Sequence, residues 1–198
     1  MLVTDDAAVN GRDLVDLARA AERGGATSVQ LRLKRAGPRE QVAAARALVA
    51  ALRVPVLVND RPDIAVAAGA AGVHVGPGDL PPVLARRVLP DGMILGVSVG
   101  TPQEALMAGA GDYWGVGPWR ESTTKDDAGS AIGASGLRAV LAESGERPCI
   151  AIGGIRPEDV PAVIAAGAAG VAVVSGILGA ADVEAAARRY ADALSAAG

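Results

Sequence analysis

The chain has 198 residues, 51% hydrophobic and 2% aromatic, and its 19 basic and 22 acidic side chains leave a net charge of −3. That length supports one substantial core rather than two enzyme-sized domains, and the charge balance offers no basic surface to nucleic acid or an anionic membrane. No apolar run approaches the ~20 residues that span a bilayer, and the start, MLVTDDAAVN, has neither the basic region nor the apolar stretch of a secretion signal.

In chain order, LVT (2–4) is a first short strand. DLVDLARAAERG then places Leu14, Leu17, Ala18 and Ala21 on one helical face, with Gly24 and Gly25 as its stop. SVQLRL (28–33) is a second strand, and its alternation continues to Lys34. Period two puts Gln30, Arg32 and Lys34 on one face and Leu31 and Leu33 on the other. With helices flanking the strand, the leucines meet those helices and the polar three point inward. An inward Arg and Lys require an anion; the alternative is an edge strand with a solvated polar face. REQVAAARALVAAL (39–52) is a helix gathering Val42, Ala45, Leu48 and Val49.

PVLVN (55–59) ends in Asn59 and Asp60. An ordinary turn would use Asp60 or Asp63 as a helix N-cap. The stretch AAGAAGV occurs at 67–73 and again at 165–171. Each copy reads as a helix end, a glycine stop and a strand entry. After the first copy, GVHVG (72–76) is a strand, and the HVGPGD stretch ends in Asp79. Two carboxylates at adjacent strand ends, facing Arg and Lys, suit Mg²⁺ held between protein and diphosphate.

MILGVSV (93–99) and YWGVG (113–117) are further strands. WRESTTKDDAGSAIG (119–133) is the longest stretch without apolar periodicity, and it carries Ser122, Thr123, Thr124 and Lys125. A long loop there reads as a lid or as an ordinary surface loop. CIAIG (149–153) is the seventh strand. PEDVPAVIAAG (157–167) is a helix opening on Pro157 and acidic residues. GVAVV (170–174) is the eighth strand, and VEAAARRYADAL closes the chain as a helix.

Eight alternations of apolar strand and helix predict a compact (βα)8 TIM barrel, a single domain over residues 1–198. An open doubly wound sheet is the alternative, but no GxGxxG follows the first strand. In such barrels a phosphate often binds after strands seven and eight, here IGGI (152–155) and VVSG (173–176). The chain holds one histidine, His74, and one cysteine, Cys149. They cannot form a Cys/His zinc site, no disulfide can close, and a reducing cytoplasm is the default. His74 points inward, as a pocket residue or as a hydrogen-bonded barrel histidine. Cys149 reads as a small hydrophobe. The remaining pattern is two anion sites, one for a diphosphate and one for a monophosphate, as needed when two phosphorylated molecules join with loss of diphosphate.

With these features in place, the sequence resembles the thiamine-phosphate synthase family over almost its whole length. The marks are LVTD (2–5), QLRLK (30–34), NDRPDIA (59–65), GVHVGPGDLP (72–81), LGVSVGT (95–101), DYWGVGP (112–118), STTK (122–125), AIGGI (151–155) and GVAVVSGI (170–177). The resemblance implies joining of 4-amino-2-methyl-5-hydroxymethylpyrimidine diphosphate to a thiazole ethyl phosphate. By the same resemblance, Gln30, Leu31, Arg32, Leu33, Lys34, Asn59, Ser98 and Lys125 bind the pyrimidine diphosphate. Arg32, Lys34 and Lys125 carry the catalysis, and Asp60 and Asp79 bind Mg²⁺. Ser122, Thr123, Thr124, Gly154, Val174 and Ser175 hold the thiazole phosphate. A homodimer and a cytoplasmic location are also implied.

Three positions depart from the family pattern: Gly100 where His is frequent, Pro77 where Gln is common, and Ser122 for a first Thr. Two alternatives share the barrel. A thiazole tautomerase would use His at position 100 and tends to lose the metal pattern. A non-catalytic thiazole-phosphate binder would not need the diphosphate set.

Overall fold

The β-branched runs form eight strands among the described residues of this computed structural model, which are 1–121 and 129–198. They are β1 (Leu2–Val3), β2 (Val29–Leu31), β3 (Val56–Asn59), β4 (Gly72–Val75), β5 (Ile94–Val99), β6 (Tyr113–Val116), β7 (Cys149–Ile152) and β8 (Gly170–Ala172). Each lies within a stretch read as a strand from the sequence. The sheet order is β1 through β8, and every neighbouring pair is parallel. A parallel bridge from Leu2 to Val173 brings the eighth strand round to the first, with the Val3 amide donating to the Val173 carbonyl at 2.9 Å. The result is a nearly closed (βα)8 barrel, not an open sheet.

The helices are α1 (Asp6–Val9), α2 (Leu14–Arg23), α3 (Pro38–Ala51), α4 (Pro62–Ala68), α5 (Pro82–Val88), α6 (Pro102–Met107), α7 (Gly133–Leu141), α8 (Val160–Ala165), α9 (Ser175–Leu178) and α10 (Val183–Ala197). The helix read over 157–167 begins as a 3-10 turn, Pro157–Asp159, before α8. The short α1 and α9 have no apolar periodicity to announce them. Asp5 makes α1 possible by accepting from the Ala7 and Ala8 amides at 3.0 and 3.3 Å.

Both AAGAAGV copies end a helix on a left-handed glycine, Gly69 at φ 68° and Gly167 at φ 104°. Their strand glycines differ. A Cβ on Gly72 would lie 2.1 Å from the Ile94 carbonyl oxygen, whereas one on Gly170 would first meet Ile150 Cδ1 at 3.6 Å.

Candidate functional site

A cavity of about 490 Å³ opens at the C-terminal ends of the strands. Gln30, Arg32, Asn59, His74, Ser98 and Tyr113 line one part of it, and Gly153, Gly154, Ile155, Val174, Ser175 and Gly176 line another. Residues 140 positions apart meet because every strand in a parallel barrel points the same way.

The alternation in QLRLK holds from Gln30 to Leu33 and fails at Lys34. Gln30 is buried, Arg32 faces the cavity, and Leu31 packs into the core with Leu33 against it. Those two leucine side chains therefore point away from the cavity, leaving only their backbone for a ligand. Arg32 is held from β1: its Nη1 lies 2.5 Å from Asp5 Oδ2, and its amide donates to Thr4 Oγ1 at 2.8 Å. Asp5 was not singled out in the sequence. Its signal was position, a carboxylate closing the strand next to the one that carries an inward arginine. Lys34 lies past the end of β2, outside the cavity lining, with Nζ 3.6 Å from Asp60 Oδ2.

Asp60 adopts a left-handed backbone, φ 66°, and its amide donates to the His74 carbonyl at 2.7 Å. Such a conformation is uncommon outside glycine and marks a position that the surroundings impose. It turns the Asp60 carboxyl toward Asp79. Burial pushes the Asp60 carboxyl up to about 6, the hydrogen bond and charge of Asp79 add to this, and Lys34 and Arg32 oppose it. Asp79 is fixed in turn, its Oδ2 accepting from the Gly76 amide at 2.7 Å. Neither Asp60 nor Asp63 caps α4. Arg61 occupies the N-cap position, and Asp63 pairs with Arg61.

Two carboxyls close enough to share a proton form a place where a divalent cation would replace that proton. Among the described residues no group of three or more His, Cys, Asp or Glu could hold a metal. Two carboxylates alone would leave a hard cation such as Mg²⁺ to complete its shell with phosphate oxygens and water.

His74 proves to be both a bonded barrel histidine and a cavity residue. Its Nδ1 lies 2.9 Å from the Tyr113 hydroxyl and its Nε2 2.9 Å from Ser98 Oγ. Strand register puts His74, Gly96 and Tyr113 in one layer. A Cβ on Gly96 would come within 2.4 Å of both rings, and one on Gly115 within 2.9 Å of His74 Cε1. Burial raises the pKa of the Tyr113 hydroxyl above its ordinary value, while a hydrogen bond with Gln30 works against this. Tyr113 was missed in the sequence; its inward parity opposite Gly96 could have revealed it.

Gly100, where the family often has His, gives its amide to Glu104 Oε2 at 2.6 Å, and both residues line the cavity. Pro77 stands at the same cavity. Cys149 is buried in the core, and burial raises its thiol pKa. Ser122, Thr123, Thr124 and Lys125 lie outside the described residues.

At the other end, Gly153 and Gly154 have φ 99° and 64°. Ser175 opens α9, where the first amides of a helix have no intrahelical acceptor. Gly154, Val174 and Ser175 all line the cavity.

The family model described as thiamine monophosphate synthase matches residues 1–177. A thiamine-phosphate synthase of Xanthobacter autotrophicus is 50% identical over 201 aligned residues, covering 99% of this chain and 95% of that protein. One from Moorella thermoacetica is 47% identical, covering 93% and 90%. The solved structure of a thiamine phosphate pyrophosphorylase from Pyrococcus furiosus superposes with a TM-score of 0.89 at 34% identity, covering 99% of this chain and 95% of that one. With barrel, cavity and sequence in agreement along nearly its full length, the chain belongs to the thiamine monophosphate synthase family.

Proposed function

We propose that the chain is a thiamine-phosphate synthase, a transferase that joins 4-amino-2-methyl-5-hydroxymethylpyrimidine diphosphate to a thiazole ethyl phosphate and releases diphosphate. One observation supports this reading: a single cavity brings Arg32 and the Gly154, Val174 and Ser175 segments together, which we read as two unlike anion sites. Arg32 lies at one, near Lys34 and the Asp60–Asp79 pair, and Gly154, Val174 and Ser175 line the other.

In the reaction the bond from the pyrimidine methylene to the diphosphate oxygen breaks, and its electron pair leaves with diphosphate. The thiazole nitrogen supplies the pair for the new C–N bond. Arg32 and Lys34 stabilise the charge on the departing group, joined in this reading by Lys125. Asn59 and Ser98 orient the pyrimidine diphosphate beside Gln30. Asp60 and Asp79 would hold Mg²⁺, which when bound neutralises diphosphate charge. Ser122, Thr123 and Thr124 would join Gly154, Val174 and Ser175 around the thiazole phosphate, fixing the nitrogen in line with the methylene carbon. The test is the purified protein with both substrates, with and without Mg²⁺. Thiamine phosphate should form with the metal, and no product under any metal condition would sink the reading. Absence of His at position 100 and presence of the carboxylate pair disfavour the tautomerase.

No helix among the described residues is long and apolar enough to cross a membrane; we place the enzyme in the cytoplasm as a homodimer. The surface of α4 to α6 supports the dimer. Helices α5 and α6 bury only Ala85 and Ala105, while Val83, Leu84, Val88, Leu106 and Met107 face outward. The exposed positions of α6 carry no charge. With Val66 and Leu80, Val83, Leu84, Val88, Leu106 and Met107 are the exposed large hydrophobic residues among the described ones, and all lie between the start of α4 and the end of α6. Sedimentation of the wild type at micromolar concentration should show a dimer, and Leu84→Glu with Leu106→Glu a folded monomer. A monomeric wild type would remove the dimer.

A further inference from the structure

The segment after β6 lies directly across the glycine turn after β7. The Trp119 amide donates to the Ile152 carbonyl at 2.8 Å and the Arg120 amide to the Gly153 carbonyl at 2.9 Å. A Cβ on Gly153 would come within 2.6 Å of Pro118 Cα, and one on Gly154 within 3.0 Å of Arg120 Cβ. The two main chains are in contact, with no space for a side chain between them.

A fork of charge ties this contact together. Arg120 Nε lies 3.0 Å from Asp159 Oδ2, and Nη2 bonds to Oδ1. Asp159 is buried, and its Oδ2 also accepts from the Arg156 amide at 2.9 Å. One carboxylate thus closes the turn that begins at Gly153 and fastens it to the neighbouring segment. Neither Arg120 nor Asp159 lines the cavity. Two consecutive left-handed glycines form the most permissive kind of backbone. Left to itself, such a turn would sample many amide directions. A bidentate Arg–carboxylate pair restricts angle as well as distance, and ordering a loop before the ligand arrives lowers the cost of binding.

We propose that the Arg120–Asp159 pair is a positioning device that aims the Gly153–Gly154 turn at a phosphate monoester. It rests on the proposed function, which places the thiazole phosphate at that turn. Neither residue touches the substrate; the pair acts through the glycine backbone.

The test is a split between two Michaelis constants. Arg120→Gln should raise KM for the thiazole phosphate about tenfold, in line with the cost of lost preorganisation, and leave KM for the pyrimidine diphosphate unchanged. Arg120→Lys, which keeps the charge without the fork, should fall between, and Asp159→Asn should mimic Arg120→Gln. Calorimetry adds a readout independent of turnover. Inorganic phosphate is titrated into protein already saturated with diphosphate and Mg²⁺, so that only the monoester end is open, and Arg120→Gln should weaken its binding by a similar factor. A parallel rise in both KM values, an unchanged thiazole KM, or no phosphate binding by the wild type would overturn the proposal. If phosphate binds and Arg120→Gln weakens it while no thiamine phosphate forms, the positioning role stands and the reading of the reaction fails.

Discussion

Replacing Asp60 with Ala should lower turnover by on the order of 10² or more and abolish its dependence on Mg²⁺. The reason is geometric. Asp60 holds an uncommon left-handed backbone that brings its carboxyl to Asp79, with Lys34 Nζ 3.6 Å away. Removing the carboxyl leaves Asp79 alone to face the cation. Steady-state rates across a Mg²⁺ titration measure the effect, and wild-type-like turnover would take Asp60 out of the site. A pH signature accompanies it. In the metal-free protein burial, with the neighbouring Asp79 adding to it, raises the Asp60 carboxyl from 3.8 to about 6. The folded state therefore binds more protons than the unfolded state between these values. The contribution of Asp60 to stability falls as pH rises through that window, and the whole cost of holding the charge is present above it. A cation relieves that cost only where the proton has left. Mg²⁺ should raise the thermal midpoint more at pH 7.5 than at pH 5, and Asp60→Ala should flatten the difference.

The second large effect concerns stability and separates two residues with identical local sequence. Gly72→Ala should destabilise the protein by about 3 kcal/mol, because its Cβ would meet the Ile94 carbonyl oxygen at 2.1 Å. For a chain of this size that lowers the thermal midpoint by roughly 6–12 °C. A backbone oxygen in a barrel strand cannot move aside as a side chain can. Gly170→Ala, the same position in the second AAGAAGV copy, should change stability by less than ~1 kcal/mol. Its Cβ would make an ordinary contact with Ile150 at 3.6 Å, and alanine also restricts the unfolded chain. Thermal melts of the two variants side by side decide it, and equal losses would contradict the account.

The difference between Gly72 and Gly170 shows how far the sequence could be read. The barrel was legible because its signal is repetitive: eight short apolar runs alternating with helical stretches. The inward parity of Gln30 and Arg32 followed from alternation together with the flanking helices. Partnerships set by neighbouring strands were less visible. Asp5 holds Arg32, Tyr113 meets His74, and Arg120 grips Asp159 across 39 positions, yet nothing local to any of them marks the contact. The reach of Lys34 was also overdrawn. Strand β2 ends at Leu31, so alternation no longer governs residue 34, and Lys34 turns to Asp60 instead of the cavity. Turn conformations such as that of Asp60 depend on the strand beside them, and a pattern of residue types does not encode them directly.

The layer formed by His74, Gly96 and Tyr113, with Gly115 two residues further along β6, also bears on how this protein can change over time. Gly96 leaves room for both rings, and Gly115, further along β6, leaves room for the ring of His74. The volume belongs to the group, not to any one position. A larger residue at 96 becomes acceptable only after the rings at 74 and 113 give way, and one at 115 only after the ring at 74 shrinks, and a smaller residue at 74 leaves a void until a glycine grows. Substitutions at these four positions should therefore be accepted in pairs, in an order that history cannot easily reverse.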